Sequence, residues 1–277
     1  MATPTYTPGN VILSDFKNGV IPAEQGTLIM KDIMANSAIM KLAKNEPMTA
    51  QKKKFTYLAK GVGAYWVSET ERIQTSKPEY AQAEMEAKKI GVIIPLSKEF
   101  LKWTAKDFFN EVKPLIAEAF YKAFDQAVIF GTKSPYNTST SGKPLVEGAE
   151  EKGNVVTDTN NLYVDLSALM ATIEDEELDP NGNEIMGLPL SYTGADVYDK
   201  KKSLALMGDW DYARYGILQG IEYAISEDAT LTTLQASDAS GQPVSLFERD
   251  MFALRATMHI AYMNVKPEAF ATLKPTE

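Results

Sequence analysis

The sequence predicts an α+β fold, and three observations carry that reading. Lys106–Gly131, KDFFNEVKPLIAEAFYKAFDQAVIFG, has apolar residues at spacings of three and four and predicts one long helix. Upstream, FTYLAKGVGAYWV and EMEAKKIGVIIPLS are two runs rich in β-branched and aromatic residues. They flank the polar segment SETERIQTSKPEY and predict a long two-stranded hairpin with a charged tip. Beyond about residue 150 the pattern alternates between helix and strand, and a strand pattern returns near residue 245. That order predicts one continuous domain inserted into a discontinuous one.

In the long helix, Phe108, Val112, Ile116, Ala119, Ala123 and Ala127 are expected to face the core. Phe120, Phe124 and Val128 widen that stripe, so two sides should be covered. Lys106, Asn110, Lys113 and Lys122 should turn outward. Thr104 and Asp107 resemble a capping box, and Gly131 supplies a stop. Pro114 lacks the N–H that would bond to the carbonyl of Asn110, which predicts a kink there or a helix start just before it.

The remaining chain follows in order. Residues 1–19 are rich in Thr, Pro, Gly and Asn and read as an extended arm. A short helix then opens at Pro22, with Leu28, Ile29, Ile33 and Met34 on its apolar side. It is too short to bury itself and must dock on something else. The hairpin carries Tyr65 and Trp66 near its tip. Two placements are open for it, laid on a partner or folded back on its own domain, because an isolated hairpin is marginal in water. SKEFLKWT reads as a short helix, and SPYNTSTSGKPLVEGAEEKGN as a loop with a strand or two. LYVDLSALMATIEDEEL is amphipathic, with Leu166, Leu169 and Ile173 on one side. GLPLSYTGADVYDKKKSL reads as strand then helix, while YGILQGIEYAIS and VSLFERDMFALRATMHIAYMNVKPEAFATL read as strands.

Composition narrows the functions available. With 277 residues the chain can bury a substantial core, and 44% hydrophobic residues is ordinary for globular proteins. There is no cysteine, and His259 is the only histidine, so thiolate chemistry and His-rich metal sites are out. A net charge of −9 argues against gripping nucleic acid through a basic surface. No apolar run approaches membrane-spanning length, so no membrane association is expected. Asp179, Asn181 and Asn183 have the one-three-five spacing of a calcium loop. Glu184 replaces the needed Gly and Leu190 the needed Glu, leaving a turn as the better reading. Lys52, Lys53 and Lys54 could touch phosphate or simply open a charged strand. No phosphate loop, dinucleotide fingerprint, nucleophile elbow or zincin pattern occurs, so no cofactor, metal or catalytic residue is expected.

Taken together, these segments resemble the major capsid proteins of tailed bacteriophages, the Hong Kong 97-type fold. IPAEQGTLIMKDIMANSAIMKLA is similar to the segment joining arm to loop, and AYWVSETERIQTSKPEY to the tip of the extended loop. IGVIIPLSKEFLKWTAKDFFNEVKPLIAEAFYKAFDQAVIFG resembles the strand, short helix and spine helix. MGDWDYARYGILQGIEYAIS resembles part of the axial domain, and FERDMFALRATMHIAYMNVKPEAFATLK the closing strand and tail. The resemblance implies an N-terminal arm and linking helix over 1–50 and an extended hairpin loop over 51–90. It implies a peripheral domain over 91–154 and 246–277 and an axial domain over 155–245.

It further implies pentamers and hexamers that build an icosahedral head shell around double-stranded DNA. Such a protein is made in the host bacterial cytoplasm and resides in the virion. Tyr65, Trp66, Glu69, Glu71, Arg72 and Lys77 are the expected intersubunit contacts. The recognisable arm lies close to Met1, so a separate scaffolding protein, or self-templating at a small size, is expected, alongside portal and possible decoration proteins. Some members cross-link subunits through a lysine–asparagine bond. Lys60 and Lys77 lie in or near the loop, but no partner asparagine aligns, and that chemistry is not carried over. A bacterial nanocompartment shell enclosing cargo enzymes is the nearest alternative. The alternative of another class is an enzyme using Glu69, Glu71 or Glu174 in an α/β cleft.

Overall fold

The run MFALRATMHIAYMN has no Gly or Pro and alternates which face each side chain meets, as a strand must. In the computed structural model it forms the longest strand of the main sheet together with Ala213–Ser226. The structure describes residues 33–60, 66–67, 72, 75–99, 108–136, 142–174, 184–185, 188–189, 191, 193, 197–235 and 243–276. In chain order these give α1 (Ala38–Leu42), β1 (Lys44–Asn45), β2 (Lys52–Lys60), β3 (Glu79–Glu86) and β4 (Lys88–Ser97). Then come α2 (Phe108–Phe130), α3 (Leu145–Lys152), β5 (Val155–Thr157) and α4 (Leu162–Glu174). The rest are β6 (Glu184–Ile185), β7 (Leu188–Pro189), β8 (Ala205–Gly208), β9 (Ala213–Ser226), β10 (Thr230–Gln235), β11 (Pro243–Ser245), β12 (Met251–Asn264) and β13 (Phe270–Lys274).

The main sheet has the order β1-β9-β12-β4, with β12 antiparallel to both β9 and β4. The even-numbered residues Phe252, Leu254, Ala256, Met258, Ile260 and Tyr262 all join the large core that α2 covers. The odd-numbered Ala261 and Met263 face the opposite side and pack with the root of the β2–β3 hairpin. Both faces of this strand are therefore occupied along most of its length. A second sheet, β5-β13-β8, lies under α3 and α4, and Phe270, Ala271 and Thr272 in its middle strand are fully buried. Gly208 sits where a side chain cannot. A Cβ there would fall 2.2 Å from the Phe270 ring, which Trp210 meets edge-on. Each of these two sheets takes a strand from within 155–245 and another from outside it.

The long helix forms as the periodicity predicts and continues through Pro114, which lies inside it at an exposed position. The helix starts at Phe108 and not just before Pro114. Its core stripe differs from the expected one. Val112, Ile116, Phe120, Phe124 and Val128 are buried, whereas Ala119 and Ala123 are exposed. The rings offer far more apolar area than the alanines, so they take the core side and the helix rotates accordingly. The side chains of Phe108 and Asn110, with the Thr104–Asp107 cap, lie outside the described residues. Gly131 ends the helix at φ 67°, as expected of a helix stop.

Four other expectations are corrected. The loop after Gly131 contains α3, because Pro144 starts a helix whose Leu145, Val146 and Ala149 are buried, and Gly153 at φ 83° closes it. The expected strand is present at Leu188–Pro189, but the described residues from 197 to 203 form turns and no helix. The second β-rich run is two strands: Glu84–Glu86 stay in the hairpin, and Lys88–Ser97 cross into the main sheet. Ala87 marks the break, its N–H donating to the carbonyl of Gln51. Met34, expected on an apolar side, is exposed at 36%, while its neighbour Ile33 is fully buried.

Helix α1 is only five residues long and owes its position to α2. Ser37 caps it, accepting from the Met40 N–H at 3.1 Å. Asp125, buried near the end of α2, takes the Ser37 hydroxyl at 2.6 Å and the Ala38 N–H at 2.9 Å. A carboxylate at a helix N-terminus meets unpaired amides and the positive end of the helix dipole. Burial nevertheless pushes the Asp125 carboxyl up to about 6, against the Ser37 hydroxyl, the Ala38 and Ile39 amides and the Lys41 charge, which pull it down.

Two outcomes follow from this packing. Phe120→Ala should destabilise the subunit by about 3–5 kcal/mol in chemical denaturation, since a fully enclosed ring leaves a cavity. Folded Asp125 keeps its proton to about pH 6, and the unfolded side chain releases it near 3.8. The native state thus binds the extra proton between those values, and this group's contribution falls as pH rises through the window. Unfolding free energy measured from pH 4 to 6 should show that fall, at most about 3 kcal/mol, and Asp125→Asn should flatten it.

Candidate functional site

The hairpin is built from an apolar root and a polar, projecting end. β2 and β3 pair antiparallel from Lys52 opposite Glu86 to Leu58 opposite Tyr80, with a bulge before Lys60. At the root, Ala83, Met85 and Ala87 are buried with Met48, Ala261, Met263 and Val265. Farther out, Leu58 is 47% and Tyr80 68% exposed, and the two stand directly opposite each other. Trp66 is fully exposed and Val67 largely so. A subunit leaving this much aromatic and aliphatic surface in water presents a surface for another protein.

Of the sequence-predicted contact residues, Trp66, Arg72 and Lys77 are exposed. Tyr65, Glu69 and Glu71 lie outside the described residues, as does the Asp179–Asn183 turn. The Lys52–Lys54 run is a charged strand entry with partners of its own. Lys52 and Lys54 pair with Glu84 across the hairpin at 3.3 and 3.4 Å, and Lys53 pairs with Glu46 at 3.0 Å. Helix α4 buries Leu169 and Ile173 as expected, with Leu166 half-buried, and leaves Leu162, Tyr163 and Val164 exposed. His259 is half-buried in mid-strand, opposite Lys89 and Gln219. Among the described residues, no cluster of His, Cys, Asp or Glu could hold a metal ion. No described helix is long and apolar enough to cross a membrane.

Sequence reasoning missed the group that roots the hairpin. The Arg214 guanidinium on β9 bonds to the Glu46 carboxylate and lies over the Phe55 ring, 4.8 Å from its centroid. Glu46 also holds Lys53, so one carboxylate joins β9, β2 and the segment between β1 and β2. Burial works upward on Glu46, but the Lys53 hydrogen bond and the Arg214 charge outweigh it and leave the carboxyl below its usual range. The residues are 168 positions apart, and no local pattern could have paired them.

This architecture has known relatives. A sequence model described as the phage capsid family matches residues 18–186. The chain belongs to the phage capsid family. It is 39% identical over 303 residues to the major capsid protein of Staphylococcus phage 80alpha, covering 98% of this chain and 90% of that one. A solved chain from Microbacterium phage Oxtober96 is 24% identical and has a TM-score of 0.71, with 87% and 91% of the two chains covered. A chain from the capsid of an empty GTA particle, computed with C5 symmetry, is 13% identical with a TM-score of 0.58, covering 100% and 96%. The fold is the α+β Hong Kong 97 type, and the chain is a major capsid protein of a tailed phage, a structural component of the virion. Capsid proteins of this family assemble into shells. These relatives lend the nanocompartment alternative no support.

For a capsid protein, the rooting of the hairpin matters because a projecting element must be held at one end. Arg214→Ala removes the ion pair and the guanidinium over Phe55, and should cost about 1–3 kcal/mol in chemical denaturation. Hydrogen exchange should then rise at the amides of Lys52–Tyr57 more than in β12.

Proposed function

We propose that this major capsid protein forms pentamers and hexamers that close into an icosahedral head around double-stranded DNA. Its extended hairpin, over residues 51–90, reaches across a neighbouring subunit. The observation that carries this reading is the fully exposed Trp66, projecting beyond a hairpin whose root alone is packed on its own subunit. The arm and linking helix would occupy 1–50, the peripheral domain 91–154 and 246–277, and the axial domain 155–245, gathered round the capsomer axes. Trp66 and Tyr65 supply the apolar anchor, and Glu69, Glu71, Arg72 and Lys77 set register at its rim.

The shell works without catalysis, cofactor or metal. Many moderate contacts per subunit add up to a particle far stronger than any single contact. With a net charge of −9, packaged DNA is enclosed without being gripped. A separate scaffolding protein sets curvature, and portal and decoration proteins complete the head, all within the host bacterial cytoplasm.

The test compares the free subunit with the shell. Trp66→Ala should leave subunit unfolding within about 0.5 kcal/mol of the unaltered protein, because an exposed ring contributes little to its own core. The same change should lower the dissociation temperature of assembled particles by several degrees, read by light scattering and electron microscopy. An equal loss in both measurements would put the ring on its own subunit and overturn the reading.

A further inference from the structure

The chain has two runs of three lysines, and they are treated differently. Lys52–Lys54 are matched by Glu46 and Glu84. Lys200, Lys201 and Lys202 are all exposed, and none pairs with a described carboxylate. They stand between two adjoining grooves of about 910 and 610 Å³ that share Phe130 as a wall. The carboxylates on the larger groove are already engaged, Glu150 by Lys274 at 3.0 Å and Glu147 by Lys143 at 3.6 Å. The groove is therefore positive on an acidic protein.

The lysine turn is also held firmly. The Asp199 carbonyl accepts from the N–H of Lys202 and Ser203, and its carboxylate accepts from the Lys201 N–H at 3.1 Å. Buried Ser203 accepts from Thr272, donates to the Ala205 carbonyl and meets the Tyr198 hydroxyl. Tyr198 in turn packs edge-on against Phe130. The backbone of the turn is thus held in place, and three exposed lysines leave it side by side, a cluster that opposite charge would complement.

The complementary feature is on the same chain. Glu174, Asp175, Glu176 and Glu177 form its densest acidic run and are followed by apolar Leu178. Glu174 ends α4, whose last turn carries no basic residue. Negative charge at a helix C-terminus opposes the helix dipole, so outside cations would stabilise it. We infer that the Lys200–Lys202 groove receives the Glu174–Leu178 segment of a second copy of this chain, its carboxylates meeting the three exposed lysines. Unlike patches on one chain make a heterologous contact, and such contacts close into rings when the rotation allows. This deepens the ring assembly proposed above and rests on it.

The experiment uses two full-length chains. In one, Lys200, Lys201 and Lys202 become Glu; in the other, Glu174, Asp175, Glu176 and Glu177 become Lys. Each alone should keep the thermal unfolding of the free subunit and lose on the order of tenfold or more in ring and shell formation at low salt, through like-charge contacts. Mixed together, the two should restore six-membered rings, in which they can alternate so that each groove meets an opposite charge. A five-membered ring cannot alternate, so ring formation and not shell closure is the readout of the mixture. A Lys-to-Gln version of the first chain should weaken assembly less. Two outcomes overturn the contact: both variants assembling like the unaltered chain, or a loss of six-membered rings that mixing does not restore. The second outcome would assign the lysines to their own subunit or to nucleic acid. If the unaltered chain itself forms no rings, the assembly reading fails instead, so the two failures are told apart.

Discussion

Burial of both faces of β12 is the constraint that places the other elements. A strand covered on two sides needs a layer above and a layer below. The even-numbered residues from Phe252 to Tyr262 draw α2 onto one face. Ala261 and Met263 draw the hairpin root onto the other. Because side chains alternate with period two, a slip of one residue would exchange the two layers and bury Arg255, which now lies exposed. Thr257 enforces the register further, because Gly91 opposite it leaves room for no Cβ: one built there falls 2.9 Å from the Thr257 methyl. Each Leu, Ile, Met or Phe buried here contributes about 1.5–3 kcal/mol, which makes this strand the least negotiable part of the chain.

A projecting element can only extend from something that does not move with it. Glu46 and Arg214 tie the hairpin root to β9, and β9 is the direct neighbour of β12. On the other face, Asp125 ties α1 to α2 through two short hydrogen bonds. Both ties are charge-assisted contacts between segments distant in sequence, and both are sheltered from water, where such bonds are strongest. They hold α1 and the hairpin root, the two elements on either side of β1, onto the sheet core. The subunit thereby leaves Trp66 and the exposed Leu58–Tyr80 pair free for contacts outside itself.

Much of this was legible in the residues. The long helix, the hairpin, the strand character of β9 and β12, and the buried Leu169 and Ile173 of α4 all follow from periodicity of 3.6 or 2. Helix α3 was hidden because Gly148 and Pro144 look like loop residues. Gly148 sits within 3.4 Å of Pro267 if given a Cβ, a tertiary reason that no local rule could detect. The break at Ala87 was hidden because both strands it separates are β-rich, and only their partners differ.

The sequence by itself determined the long helix, the hairpin and the long strands, the absence of thiol chemistry and of His-rich metal sites, and the order of segments that marks the family, because those depend on residue type and on neighbours a few residues apart. Tertiary structure alone decided that Ala119 and Ala123 of α2 stay exposed, while the rest of its expected stripe from Val112 to Val128 is buried. It also decided that Asp125 caps α1, that Glu46 joins Arg214, and that one lysine triplet is matched while the other is not. Those outcomes depend on pairs separated by tens to hundreds of residues. Their strength comes from burial, which a linear pattern of residue types does not encode.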